Sequence, residues 1–494
     1  MRFCGASKCW IPIQHSQKVE EKNMKEKTNN SELFKWDGKP SFGQTLPLAL
    51  QHVVAAVVGC VTPAILVANA ANGAGGNVDM GMLIQVSLVF AALSTLAQLF
   101  LSKFKLGAGL PVIIGVSFSY VPTMTAIAAQ SGGVDTILGG MFIGGIVAII
   151  VGIFVKQIRK VFPPLVIGTV IFAIGLSLYK TAINYMAGNS SNTYELVVET
   201  QGKTPALVYG SWQNWLVAFV TLGIVIGLNH FGKGVFKLAS ILIGLACGYI
   251  LALCFGMVDF SAFLNAGWFA VPKPLAFGMS FDVSAVIPLA ILFLVNSIQA
   301  IGDFSATTSG GMDRLPTNEE LNGGIIGYGV TNMISALFGC PPTATYSQNV
   351  GIVGSTKVIA RRVFATAAVI FLIAGLCPKF SGLLRTIPQC VLGGAVASVF
   401  ASIAMTGIKL LVQEGMSYRN TTVAGLSIAI GMGVSLSNGC LNQMTASIHA
   451  GLNMSMELEA FQSIINNTFA SSPVVLATIF AVLLNIILPK DKEA

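Results

Sequence analysis

The chain has 494 residues, 54% of them hydrophobic and only 10% charged, with a formal net charge of +8. Soluble domains carry about 25% charged residues, so this composition excludes a globular protein in water and calls for lipid as the solvent. The basic residues fall in short clusters between apolar runs, which is how a topology signal is arranged and not a nucleic-acid interface.

Residues 1–45 are expected to form a cytoplasmic N-terminal tail, since Lys18 to Glu32 is polar and lacks an apolar period. No apolar stretch followed by a cleavage site opens the chain, so no signal peptide is expected. A crossing helix needs about 20 apolar residues. Fourteen segments are candidates: 47–68, 80–101, 108–128, 135–155, 164–185, 213–229, 238–256, 284–304, 323–339, 343–358, 361–377, 388–408, 421–437 and 471–488. The third contains Gly107-Ala-Gly-Leu-Pro111 and Ser117-Phe-Ser-Tyr-Val-Pro122, and the tenth follows Cys340-Pro-Pro. Proline and glycine there predict broken or extended backbone at membrane depth, which survives only when protein buries it or it lines a cavity.

With the N-terminus inside, the loops on the outer side hold only Lys180, Lys203, Lys273, Lys379 and Arg385 of the 28 basic residues. That asymmetry puts both termini in the cytoplasm and supports an even number of spans. The two irregular segments lie seven apart in a set of fourteen. Interrupted spans at matching positions of two halves point to a transporter binding site, and an odd offset gives the halves opposite topology. Ser117-Phe-Ser-Tyr-Val-Pro122 and Thr345-Tyr-Ser-Gln-Asn-Val350 also echo each other.

Polar groups inside a membrane are costly, so each needs a reason. Asp303, in the eighth segment, reads either as a protonatable coupling group or as a helix-terminal carboxylate paired with Arg314. His52, in the first, reads either as a hydrogen-bonding residue joining two helices or as a second coupling group. Gln299 and Gln348 offer a donor and an acceptor each, which matches the alternating N–H and C=O edge of a purine or pyrimidine. The bland reading of one such Gln is glue between helices. Two Gln and Asn349 beside broken backbone favour a site. Phe118, Tyr120 and Tyr346 either stack on a planar ring or simply pack. The nine Cys contain no C-x-x-C pair and no metal spacing, so neither metal nor cofactor is expected. No nucleotide loop, H-E-x-x-H or G-x-S-x-G is present, which disfavours a membrane enzyme or a primary pump.

Gln348-Asn-Val-Gly-Ile-Val-Gly-Ser-Thr-Lys357 resembles the signature of the nucleobase–ascorbate transporter family at every defined position. Gln51-His52, Ser117-Phe-Ser-Tyr120 and Gln299-Ala-Ile-Gly-Asp-Phe-Ser-Ala-Thr307 are similar too, and the resemblance runs from about residue 40 to 488. It implies an all-α membrane protein of fourteen spans in two inverted repeats of seven, with short strands in spans 3 and 10. It implies a core domain at 46–160 and 280–380 and a gate domain at 161–260 and 386–490. It further implies a homodimer in the cell membrane, elevator-type movement and proton-coupled uptake of a nucleobase. Carried onto this chain, the substrate residues are Gln299, Gln348, Asn349, Phe118, Ser119 and Tyr120, and the coupling residues Asp303 and His52.

Gln at position 348 is typical of family members that carry xanthine or uric acid, where uracil carriers have Glu. Two departures matter. Gln299 stands where the family usually has Glu, and Tyr328 where its purine carriers often have Asp. Both acids being absent, Asp303 is the main coupling candidate. The alternatives are a carrier of uracil or another nucleobase and a cation-coupled anion carrier of the same architecture.

Overall fold

The computed structural model describes residues 32–437, 439–452 and 456–489. Most of the expected tail, residues 1–31, lies outside the described residues, as do Lys490 and Lys492. Each of the fourteen expected segments contains a helix. In chain order they are α1 (Phe42–Gly73), α2 (Met80–Phe100), α3 (Val121–Ser131), α4 (Asp135–Ile153), α5 (Pro164–Met186), α6 (Trp212–Phe231) and α7 (Ser240–Cys254). Then come α8 (Val283–Met312), α9 (Asn318–Leu337), α10 (Ser347–Thr356), α11 (Arg361–Gly375), α12 (Gln389–Gln413), α13 (Tyr418–Leu436) and α14 (Pro473–Ile487).

Among the described residues seven helices, α1, α2, α4, α5, α6, α8 and α12, are long and apolar enough to cross a membrane. Helix α11 joins Pro378–Arg385 across a 78° bend and α14 joins Leu458–Ala470 across a 70° bend; with each bent pair counted as one span, the number is nine. The other five fall short for visible reasons. Helices α3 and α10 have 11 and 10 residues because their segments are half extended, and α7 has 15. Helices α9 and α13 are long enough but rich in Gly, Asn and Thr. The exposed surface is apolar, with Ile150, Phe219, Ile226, Ile250, Ile373 and Ile486 among its side chains. So much exposed apolar surface marks a lipid-facing protein.

Local chemistry starts and stops these helices. A capping box from Ser41 and Gln44 opens α1, another from Thr317 and Glu320 opens α9, and Asp79 caps α2 by accepting from the Gly81 and Met82 amides. Pro111, Pro341 and Pro342 lack the amide a helix needs and bias the preceding residue to extended backbone. The chain there forms β1 (Ile114–Val116) and β2 (Thr343–Thr345), paired antiparallel with Ile114 opposite Thr345 and Val116 opposite Thr343. Both strands are fully buried. Side chains of the preceding helices hold the strands. On α2, Thr95 Oγ1 accepts from the Ile114 amide at 2.9 Å, and on α9, Asn332 Oδ1 accepts from the Thr343 amide at 2.8 Å. Gly115 must be glycine: a Cβ there would sit 2.5 Å from Cys60 Sγ and 2.8 Å from the Tyr346 ring.

The helices sort into two packing groups. In one, α1 packs on α2, α3 and α11, α8 on α4, α9 and α10, α2 on α11, and α4 on α9. In the other, α5 crosses α12, α6 packs on α7 and α12, and α13 on α14 and α5. Raising helix numbers by seven maps one pairing onto another: α1–α3 onto α8–α10, α6–α7 onto α13–α14, and α4–α9 onto α11–α2. Small residues let α5 and α12 approach closely, since a Cβ on Gly175 would lie 2.4 Å from the Ala404 nitrogen. Between the groups, Asn69 Nδ2 donates to the Tyr185 hydroxyl at 3.1 Å, and Phe118 meets Phe400 edge to face at 5.1 Å.

The expected tail, 1–45, ends four residues too late, since 42–45 already belong to α1; residues 32–41 of it form a strap on the α10–α11 loop. The Leu33 carbonyl accepts from the Ile359 and Ala360 amides, both at 3.1 Å, and the Trp36 carbonyl from Arg361 at 3.0 Å. Arg361 also pairs with Asp37 at 2.8 Å and lies over the Trp36 and Phe100 rings.

Candidate functional site

A cavity of about 200 Å³ lies between the two groups of helices, beside the paired strands. This is smaller than the ~300–1,000 Å³ of drug-sized sites, so it suits a single small ring system. On one side it is lined by Val58 and Gly59 of α1, Ser117, Phe118 and Ser119 ahead of α3, Gln299 of α8, and Thr345 to Gln348 at the start of α10. On the other side stand Ile171 and Ile174 of α5, Ile241 of α7, and Val399, Ser402, Ile403 and Thr406 of α12. No charged side chain lines it among the described residues.

The broken backbone explains how these residues meet. Each strand pairs where its segment turns from extended to helical; because the strands are antiparallel, Ser117–Ser119 and Tyr346–Gln348 leave opposite ends of a ladder only three pairs long, and both border the cavity. The pairing is extended by Tyr346, whose amide donates to the Ile113 carbonyl and whose hydroxyl donates to Val116 O at 2.6 Å. The first two amides of α10, of Ser347 and Gln348, bond no backbone carbonyl among the described residues, whereas those of Asn349 and Val350 bond the Tyr346 carbonyl; the free pair carries the positive end of the helix dipole. Gln299 is half-buried and Gln348 exposed to the cavity, and neither carboxamide bonds another described residue. Their donors and acceptors are therefore available to a ligand.

The remaining expected site residues are placed behind this wall. Tyr120 does not line the cavity: it is fully buried, its hydroxyl lies 2.5 Å from that of Tyr328, and its ring packs on Phe293. Tyr328, where an acid was expected from the resemblance, thus forms half of a phenol pair. Asn349 is also buried and turned away; its Nδ2 donates to His52 Nδ1 at 3.0 Å and to the His52 carbonyl at 3.1 Å. Because the amide nitrogen only donates, His52 Nδ1 is the acceptor and its ring proton sits on Nε2. His52 also packs on Phe364 at 4.6 Å, so it joins α1 to α10 and α11.

Asp303 is buried and its carboxylate accepts from the hydroxyls of Thr345 and Ser347, the latter at 2.7 Å. The expected alternative partner, Arg314, pairs instead with Glu320, in two hydrogen bonds of 2.5 and 2.8 Å. Both hydroxyls that bond Asp303 belong to residues lining the cavity, so one hydrogen-bonded step separates the carboxylate from it. Sequence reasoning did not single out Ser347, Thr345, Ser402 or Thr406. A hydroxyl in an apolar span is a weak signal, because it can satisfy itself on its own helix, as Ser402 and Thr406 do, and the bonds of Thr345 and Ser347 to Asp303 reach across 42 and 44 positions of sequence.

The chain matches the sequence profile of a permease family (Xan_ur_permease) over residues 43–439. It is 30% identical to the xanthine permease XanQ of Escherichia coli (strain K12), across 92% of this chain and 94% of that one. It is 33% identical to the uric acid permease PucJ of Bacillus subtilis (strain 168), across 83% of this chain and 88% of that one. Among solved structures, the transmembrane domain of a cyanobacterium bicarbonate transporter, BicA, superposes with a TM-score of 0.53 at 16% identity, covering 90% of this chain and 97% of that one. SLC26A9 superposes with a TM-score of 0.56 at 11% identity, covering 98% of this chain and 73% of that one. At such identities these two likenesses describe the fold alone.

Proposed function

The chain belongs to this permease family, the nucleobase–ascorbate transporters, whose members are transporters and not enzymes, and on that premise we propose that it takes up an oxidised purine, xanthine or uric acid, across the cell membrane. The observation that carries the reading is the pair of unpartnered carboxamides, Gln299 and Gln348, facing one small uncharged cavity at the ends of two paired strands. Each presents N–H and C=O together, which complements the lactam edges of such a base. Phe118 supplies an aromatic face in the same wall.

The finer picture has fourteen spans in two inverted repeats, with both termini cytoplasmic. The recurrence of helix pairings at an offset of seven supports it. The group of α1–α4 with α8–α11 acts as the core domain that carries the substrate. The group of α5–α7 with α12–α14 acts as the gate domain, and the core slides against it as an elevator within a homodimer. Gln299 and Gln348 read the base, with Ser119 and Phe118 beside them. Tyr120 and Asn349 act by holding the strand and half-helix in place, the one through Tyr328 and the other through His52. Uptake is coupled to protons through Asp303, whose two hydroxyl partners border the cavity.

An anion carrier of the same architecture is the competing reading, and the α10 N-terminus at the cavity is the observation that favours it. The lack of any basic side chain in the lining among the described residues weighs against it. Uptake of radiolabelled xanthine, urate, guanine and uracil in a transport-deficient cell, with and without a protonophore, decides. Accumulation of xanthine or urate that the protonophore abolishes is the expected result. Bicarbonate transport without nucleobase uptake overturns the reading.

A further inference from the structure

The two walls of the cavity differ in hydrogen-bonding character. The wall formed by α8 and α10 offers Gln299 and Gln348, each donor and acceptor. The opposite wall is apolar, from Ile171, Ile174, Val399 and Ile403, except for two hydroxyls on α12. These are Ser402 and Thr406, one helical turn apart and so on one face of α12. Both protons are already committed: Ser402 Oγ donates to the Ser398 carbonyl at 2.9 Å and Thr406 Oγ1 to the Ser402 carbonyl at 2.8 Å. A hydroxyl whose proton is spent keeps its acceptor lone pairs. Both side chains are exposed on the helix, so those lone pairs are accessible.

We propose that Ser402 and Thr406 form an acceptor-only reading edge on the gate side of the cavity, which selects a base presenting a ring N–H toward α12 and rejects one that is N-methylated there. The inference rests on the nucleobase reading above and adds a second specificity element on the group of helices that does not hold the signature residues. Its physical basis is an asymmetry. An N–H that meets Ser402 or Thr406 replaces the bond it made to water. An N-methyl at the same point leaves the hydroxyl's lone pair facing apolar surface and adds bulk against Val399 and Ile403.

The test is competition binding on the purified full chain, using whichever of xanthine, urate, guanine or uracil binds the wild type. The competitors are xanthine and its 1-, 3-, 7- and 9-methyl derivatives. The wild type should disfavour at least one methyl derivative by about tenfold, the size expected for losing one hydrogen bond in a confined site. In Ser402→Ala or Thr406→Val that preference should collapse because the unmethylated base loses affinity, while Thr406→Ser, which keeps the hydroxyl, should retain it. If Thr406→Val is not recovered folded, Ser402→Ala, which removes a single oxygen at an exposed position, decides alone. Binding of a base by the wild type with the same methyl-analogue profile in the variants overturns the proposal and leaves the nucleobase reading standing. Failure of the wild type to bind any base overturns both.

Discussion

Replacement of Asp303 by Asn separates a coupling carboxylate from a structural one. In the wild type the carboxylate accepts from Ser347 Oγ at 2.7 Å and from Thr345 Oγ1. Hydrogen bonds to a charged group contribute about 1.5–3 kcal/mol each, and neutral ones about 0.5–1.5 kcal/mol. Asn keeps one acceptor oxygen and turns the other position into a donor, which the rotatable hydroxyl of Thr345 or Ser347 can accept. The substitution therefore costs about 1–3 kcal/mol if the carboxylate is ionised and nearly nothing if it is protonated. Substrate binding should survive within about tenfold, equivalent to about 1.4 kcal/mol. What Asn cannot do is exchange a proton. In proteoliposomes with an inward proton gradient, the variant should fail to concentrate radiolabelled xanthine, yet should still exchange internal for external substrate, since exchange moves no net coupling ion. Accumulation as steep as in the wild type would remove Asp303 from the coupling mechanism. Joint loss of folding, binding and exchange would show that the carboxylate is structural, tying α8 to β2 and α10.

Three further outcomes follow from the same geometry. Gln348→Glu swaps an N–H donor for acceptor-only oxygens on the cavity wall, so competition profiles should shift between oxidised purines and uracil by about tenfold; an unchanged profile would mean that Gln348 does not read the base. Gln299→Glu places a carboxyl group in a lining that has no charged side chain among the described residues, so uptake should depend more steeply on pH, and a pH profile identical to wild type would place coupling elsewhere. Gly115→Ala puts a Cβ 2.5 Å from Cys60 Sγ and 2.8 Å from the Tyr346 ring. Overpacking of that kind costs about 1–3 kcal/mol, so the purified variant should melt at a lower temperature and bind substrate more weakly; a wild-type melting curve would count against the tight fit of the strand pair.

The amino-acid sequence alone determined the class of this protein, the position of its helices and the places where they break, because these depend on local chemistry. A run of apolar residues needs lipid wherever it folds, and Pro111, Pro341 and Pro342 interrupt a helix whatever surrounds them. The motif residues that carry a free carboxamide, Gln299 and Gln348, were legible for the same reason: an amide in an apolar span is conspicuous. Tertiary structure alone decided which polar groups remain available. Tyr120 is consumed by Tyr328, 208 positions away, and Asn349 by His52, 297 positions away, so two residues read as substrate contacts stand behind the cavity. The strap at 32–41 was equally hidden, since its bonds to the α10–α11 loop are mostly from backbone groups. So were Ser402 and Thr406. In water the buried face of a helix shows as a contrast between apolar and polar sides, but a helix in lipid is apolar on every side. The face that α12 turns to the cavity is set by its close crossing with α5, and that crossing exists only in three dimensions.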